Sequence, residues 1–223
     1  MSARDAILSR IRTSLGATAG DAGRRAIVIS RLDNAPRGVI PARGQLPTEE
    51  RIALFSAMAE KVSASVSRVA TDDALPEAVA TFLRDTNLPA AIRMGNDPRL
   101  RGLPWYRVPQ LAIAFGPSDG SDMVTLSHAV AGVAETGTLV LTSGPDNPST
   151  LNFLPDTHIV AVRAAEIAGD YESAWGVIRA RYGKGEMPRT VNLITGPSRS
   201  ADIEQTLLLG AHGPRRVHIV IVG

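Results

Sequence analysis

The 223-residue chain contains no cysteine. That excludes disulfides, thiolate zinc sites, cysteine-ligated iron–sulfur clusters and a cysteine nucleophile. Aromatic residues make up only 4% of the chain and the formal net charge is +2, so no basic stripe interleaved with stacking residues points to nucleic acid. No apolar run approaches the roughly 18 to 20 residues that a membrane span requires. Residues 2–11 mix charges with apolar residues at helical spacing and lack the apolar stretch of a signal peptide, which implies a cytoplasmic protein. Four histidines without clustered acids give no metal-ligand spacing, so no bound metal is expected.

What is present reads as one large domain with an N-terminal arm. Residues 3–15 form an amphipathic helix through Ile7, Leu8, Ile11 and Leu15. The Gly-, Pro- and Arg-rich stretch 16–47 reads as an extended, poorly packed arm, so 1–47 is set apart from a main domain over 48–223. Thr48 opens a long helix with Glu49 and Glu50 in its first turn. Beyond it, β-like runs at 66–70, 90–94, 111–115, 138–141, 158–162, 191–194 and 217–222 alternate with helical patterns. The helices are expected near Asp73 and at 123–134, 171–182 and 202–209. Strands separated by helices of about ten residues predict an α/β fold, an open, largely parallel sheet flanked by helices.

Two small-residue loops stand beside strands. Ala134-Glu135-Thr136-Gly137-Thr138 feeds the run at 138–141, and Thr195-Gly196-Pro197-Ser198-Arg199-Ser200 leaves the run at 191–194. A strand that stops at glycine and serine and then opens a helix presents free N–H groups and a positive dipole end to an anion. Thr136, Gly137, Thr138, Gly196, Pro197, Ser198, Arg199 and Ser200 are therefore candidate anion-binding residues. Arg199 suits phosphate or carboxylate, or else pairs with Asp202 or Glu204 on the surface. Glu135 is placed either to act as base or nucleophile or to brace the Thr136-Gly137-Thr138 turn. His128 would share a helix face with it if a helix continues through 134. His158 begins an apolar run after a turn-rich stretch, 143–149, of the kind that lines sites. His212 follows an expected helix end, where an imidazolium needs no ligand. Asp202, Glu204, His158 and His212 complete the pocket candidates.

Taken together, three strings resemble the lactate utilization protein C family, whose shared unit is the LUD domain. They are Val133-Ala134-Glu135-Thr136-Gly137-Thr138-Leu139-Val140-Leu141, Leu154-Pro155-Asp156-Thr157-His158-Ile159, and Thr195 through Glu204 followed by Leu209-Gly210-Ala211-His212-Gly213-Pro214. The resemblance covers roughly 48–223. It implies a fold similar to the NagB/RpiA/CoA-transferase group and a role, with iron–sulfur partner proteins, in oxidising L-lactate to pyruvate. A chain without cysteine resembles the cluster-free member, so the clusters are expected in the partners, and this chain is expected to carry no cofactor of its own. The chain would be an accessory subunit that binds a small anionic metabolite, and self-association is a further expectation. In CoA transferases of similar fold a glutamate followed by a small residue and glycine is the nucleophile, and Glu135-Thr136-Gly137 is similar. That leaves two rival readings: a stand-alone transferase- or isomerase-like enzyme using Glu135, and a phosphorylated-metabolite sensor built on 195–200.

Overall fold

Two capped helices open the chain. In the computed structural model, which describes residues 2–18, 20–200, 208–210 and 212–223, α1 (Ala3–Ser14) starts in a reciprocal capping box between Ser2 and Asp5. Helix α2 (Ala22–Asn34) starts where the Asp21 carboxylate accepts from the Arg24 N–H, and it ends at Ala35 in the left-handed region. The stretch 16–47 is thus not wholly extended. The Asp21 cap and the run of helix formers behind it outweigh the flanking glycines. Neither helix has a buried residue. Residues 1–39 form one compact unit, and 40–223 form a second that holds the sheets.

The second unit opens with α3 (Thr48–Lys61), β1 (Ser65–Val69), α4 (Leu75–Asp85), β2 (Ala91–Met94), α5 (Pro98–Arg101), β3 (Ala112–Phe115) and β4 (Val124–His128). It continues through β5 (Ala131–Val133), β6 (Thr138–Thr142), α6 (Thr150–Phe153), β7 (Thr157–Arg163), β8 (Ile167–Ala168), α7 (Tyr171–Tyr182) and β9 (Val191–Ile194). The short β10 (Arg199–Ser200) and β11 (Leu208–Leu209) precede β12 (Arg216–Val222).

Six strands form the main sheet in the order β1-β12-β7-β4-β2-β3, and every pairing in it is parallel. This is the expected α/β architecture. Period-two alternation splits β7 between two cores: Val160 and Val162 pack with Ile52, Phe55 and Ala59 of α3, whereas Ile159 and Ala161 pack with Leu75, Val79 and Leu83 of α4. Burial on both faces requires helices on both sides, and that is what α3 and α4 supply.

A second sheet, β8-β5-β6-β9, was not foreseen. Strands β5 and β6 form an antiparallel hairpin and β9 pairs antiparallel with β6. The strands expected at 138–141 and 191–194 therefore belong to this sheet and not to the parallel one. Leu139 and Leu141 face the α3 core, while Val133 and Val140 face Ala174 and Ile178 of α7.

The helix expected over 123–134 is two strands, β4 and β5. All eight of their residues are buried; Val124-Thr125-Leu126-Ser127 alternates with the period of a strand, but the small apolar run 129–134 fits a helix as well. The helix expected over 202–209 lies mostly outside the described residues. Its last two residues form β11, antiparallel to β10, so Arg199 and Ser200 lie in a strand and do not open a helix there.

Candidate functional site

The structure brings the two predicted loops together. Because Leu139 is registered opposite Ile194, the turn before β6 and the loop after β9 are neighbours. Thr138 Oγ1 lies 2.8 Å from Thr195 Oγ1 and 2.9 Å from the Tyr171 hydroxyl, which also accepts from Thr136 at 3.1 Å. Gly137 (φ +66°) and Gly196 (φ +71°) both press on α3 or its end: a Cβ on the first would run into the backbone of Met58 and Ala59, and one on the second into the Val62 carbonyl. Arg199 donates to that same carbonyl and, at 2.8 Å, to Ser63 Oγ. It therefore holds the carboxyl end of α3 (Val62 follows Lys61), where a cation is favoured. Pro197 is buried, Ser198 donates its N–H to the Pro214 carbonyl at 2.9 Å, and Ser200 pairs with Leu208. Gly196, Ser198, Arg199 and His212 line a cleft of about 310 Å³ with Asn152 and Phe153.

Glu135 sits apart from that cleft lining. Its side chain is only 5% exposed and its Oε2 accepts from Arg43 Nη2 at 3.4 Å. A short strap precedes α3 here: Gln45 donates to Asp170 at 2.8 Å, and Gly44 packs on the Gly169 backbone. His158 lies inside β7, fully buried, with Nε2 3.0 Å from Ser127 Oγ, and burial lowers its pKa to about 3. Asp202 and Glu204 lie outside the described residues.

A different cluster occupies the place where open parallel sheets bind ligands. The adjacent strands β2 and β4 send the chain in opposite directions across the sheet, β2 outward to β3 and β4 onward toward β7. A crevice outside the carboxyl ends of such a pair is the usual ligand position. Here β2 runs into Gly95-Asn96-Asp97, β4 ends at His128, and the turn after β7 carries Glu166. Asp97 caps α5 through the Arg99 N–H at 2.9 Å, and the Arg99 guanidinium grips its carboxylate at 2.7 and 3.0 Å. Arg99 Nη1 stands 3.8 Å from Glu166. Burial alone would raise the Asp97 pKa, but the Arg99 bonds and charge outweigh it and hold the carboxyl below its usual range. Burial raises Glu166 against the pull of Arg99.

His128 is 4% exposed and Nδ1 is 2.7 Å from the Ala129 carbonyl, which can only accept, so Nδ1 carries the proton. Desolvation, reinforced by Arg99, lowers its pKa to about 4. The ring is neutral at physiological pH with an unprotonated Nε2. That atom, both amide atoms of Asn147 and Glu166 Oε2 are buried without a partner. An unsatisfied buried polar group costs about 1–3 kcal/mol, so such a concentration is unusual in a mere packing region. The 143–149 loop packs on the end of β2: Asn96 donates to the Pro145 carbonyl at 3.1 Å, and a Cβ on Gly95 would collide with the Asp146 carbonyl.

Sequence reasoning missed Asp97, Arg99, Asn147 and Glu166 and weighed His128 only as a helix-face residue. One signal was available: Asp97-Pro98 directly after a strand is a cap and first-turn proline at a strand end. Among the described residues, no group of three or more acids, histidines or cysteines could hold a metal ion, and no helix is long and apolar enough to cross a membrane.

A parallel sheet clothed by helices on both faces, with its strand order reversing between β2 and β4, defines an open α/β fold. The LUD domain family model matches residues 52–222, and the chain belongs to that family. An uncharacterized protein of Neisseria meningitidis is 40% identical over 96 residues, and lactate utilization protein C of a Geobacillus species is 41% identical over 91. Those matches span 43% and 40% of this chain, and only 40% and 38% of the relatives' own lengths. Lactate utilization protein C of Halalkalibacterium halodurans is 25% identical over 98% of this chain and 97% of its own. A DUF162 family protein from Deinococcus radiodurans shares the fold, with a TM-score of 0.59 and 23% identity over 80% of this chain and 99% of that one.

Proposed function

We propose that this protein serves lactate utilization in the cytoplasm as a cluster-free accessory subunit. It binds a small anionic metabolite while iron–sulfur partner proteins carry the electrons from L-lactate to pyruvate. The observation that carries this reading is the end-to-end likeness to a relative named for lactate utilization, covering 98% of one chain and 97% of the other. The absence of cysteine supports the division of labour, because a cluster needs thiolate ligands that this chain does not have. A stand-alone transferase built on Glu135 is less well supported, since that carboxylate is buried against Arg43.

Deleting the gene tests the proposal. Growth on L-lactate is expected to fail while growth on glucose is unchanged, and a tagged copy that restores growth is expected to retain iron–sulfur proteins from lactate-grown cells. Normal growth of the deletion strain on lactate would overturn the role. Rescue by a copy that retains no iron–sulfur protein would overturn the subunit assignment alone.

A further inference from the structure

We infer that helices α1 and α2 bind along an anionic lipid surface, each laying a row of aliphatic side chains among the headgroups with arginines around it. The inference goes beyond the lactate reading and does not depend on it.

Among the described residues, eight of the seventeen exposed large apolar side chains lie in residues 1–39, less than a fifth of the chain. They are ordered in rows. Ile7, Ile11 and Leu15 recur every four residues along α1 and its cap, and Val28, Ile29 and Leu32 share one face of α2. Ile7 is 59% exposed and Leu32 70%. Such a concentration of exposed apolar surface marks a site of interaction.

Charge selects what covers it. Residues 1–39 hold seven arginines, three aspartates and no lysine or glutamate, a net charge of +4, whereas the rest of the chain, with seventeen basic and nineteen acidic residues, is at −2. Two of the three aspartates, Asp5 and Asp21, are engaged as helix caps. Two copies of this arm would bring like charges together, so the occupant is anionic and is not a second arm. The placement of the arginines then separates lipid from protein. Arg4 opens the row of α1, three residues before Ile7, and Arg25 opens that of α2, three and four residues before Val28 and Ile29. A protein groove that covered either row would bury its arginine, which is costly unless an acid meets it there. At a bilayer surface the aliphatic stem lies along the apolar face while the guanidinium reaches the phosphates. Arg10 and Arg12 border the α1 row on its two sides, the pattern of a helix lying in the interface. Each arginine near an anionic leaflet strengthens binding by about fivefold.

Co-sedimentation of the full chain with vesicles of phosphatidylcholine, alone or mixed with phosphatidylglycerol, tests the inference. The protein is expected to pellet with the mixed vesicles at low salt, to be released at high salt, and to stay in solution beside pure phosphatidylcholine. Ile11→Asp with Leu32→Asp removes apolar contact, and Arg10→Gln with Arg12→Gln removes charge. Each pair is expected to weaken binding by at least about tenfold. All four residues are exposed, so native melting is expected of both variants, and either one alone reads the surface if the other misfolds. No binding of the folded wild type to anionic vesicles would overturn the inference, as would equal binding to neutral ones or binding that both variants retain. A dimer in light scattering that Leu32→Asp dissociates and vesicles leave intact would assign the arm to a second copy. Capture of an acidic protein through the same residues, without vesicle binding, would assign it to a protein partner. Either result overturns the lipid assignment.

Discussion

Glu135 shows how one residue type supports two opposite roles. Its neighbours Thr136 and Gly137 make a motif similar to that of a carboxylate nucleophile, yet the side chain is 5% exposed and faces Arg43. A nucleophile has to reach substrate; a brace has to stay in place. Glu135→Gln is expected to preserve lactate-dependent growth, since the amide oxygen still accepts from Arg43. Glu135→Ala is expected to lower stability by about 1–3 kcal/mol in urea unfolding. A Gln variant with native melting but no growth on lactate would instead give the carboxylate a chemical task. The smallness of Gly137 and Gly196 was legible in the sequence, but its cause was not. Both are small because α3 or its end lies against them, a contact made by residues 75 or more positions earlier. Asp97 and Arg99 were illegible for a related reason. Charged residues beside a proline read as surface, and only tertiary burial turns them into a pair worth noticing.

Most elements were legible, the almost wholly buried strands β6, β7 and β12 included, because their runs of valine, isoleucine and leucine are short and bounded by turn residues. Helices α3, α4 and α7 and the strands β1, β2, β3 and β9 fall within a few residues of where periodicity and caps put them. What failed was β4 and β5: Val124-Thr125-Leu126-Ser127 alternates with the period of a strand, but the small apolar run 129–134 behind it fits a helix as well. Helix α2 failed for a different reason: Ile27, Val28 and Ile29 are consecutive and β-branched, between glycines and prolines that read as a loop. The hairpin turn between β5 and β6 offers a test of how the second sheet is fixed to α3. Gly137→Ala adds a methyl to a left-handed residue and drives it into the backbone of α3, so a loss of at least about 2 kcal/mol is expected in urea unfolding. Gly176→Ala in α7, where a Cβ meets open space, is expected to be neutral or to stabilise by about 0.5–1 kcal/mol. Equal effects from the two would mean that the turn is free to shift away from α3.

Across the molecule, three neighbouring strands of the main sheet each bury a histidine, His128 on β4, His158 on β7 and His218 on β12. His218 stacks on Phe82 with centroids 3.9 Å apart and has the Ser65 and Ser67 hydroxyls on its two nitrogens. Burial depresses all three pKa values, to about 4, 3 and 4. An unfolded histidine titrates near 6.5, so below that pH the unfolded chain binds protons that the folded chain refuses. The resulting contribution is fully present above pH 6.5 and is lost as the pH falls toward about 4. Each histidine contributes a slope of about 1.4 kcal/mol per pH unit within that window, and three acting together make the fold steeply acid-sensitive. The urea midpoint is therefore expected to be level above about pH 7 and to drop sharply between about pH 6 and 5. His218→Asn, which keeps polar groups near the two serines but removes the titration, is expected to take about a third of that slope away, whatever it does to the plateau. A midpoint that does not move across the window would mean that the three rings are protonated or hydrated within the folded sheet, and the neutral Nε2 of His128 would go with them.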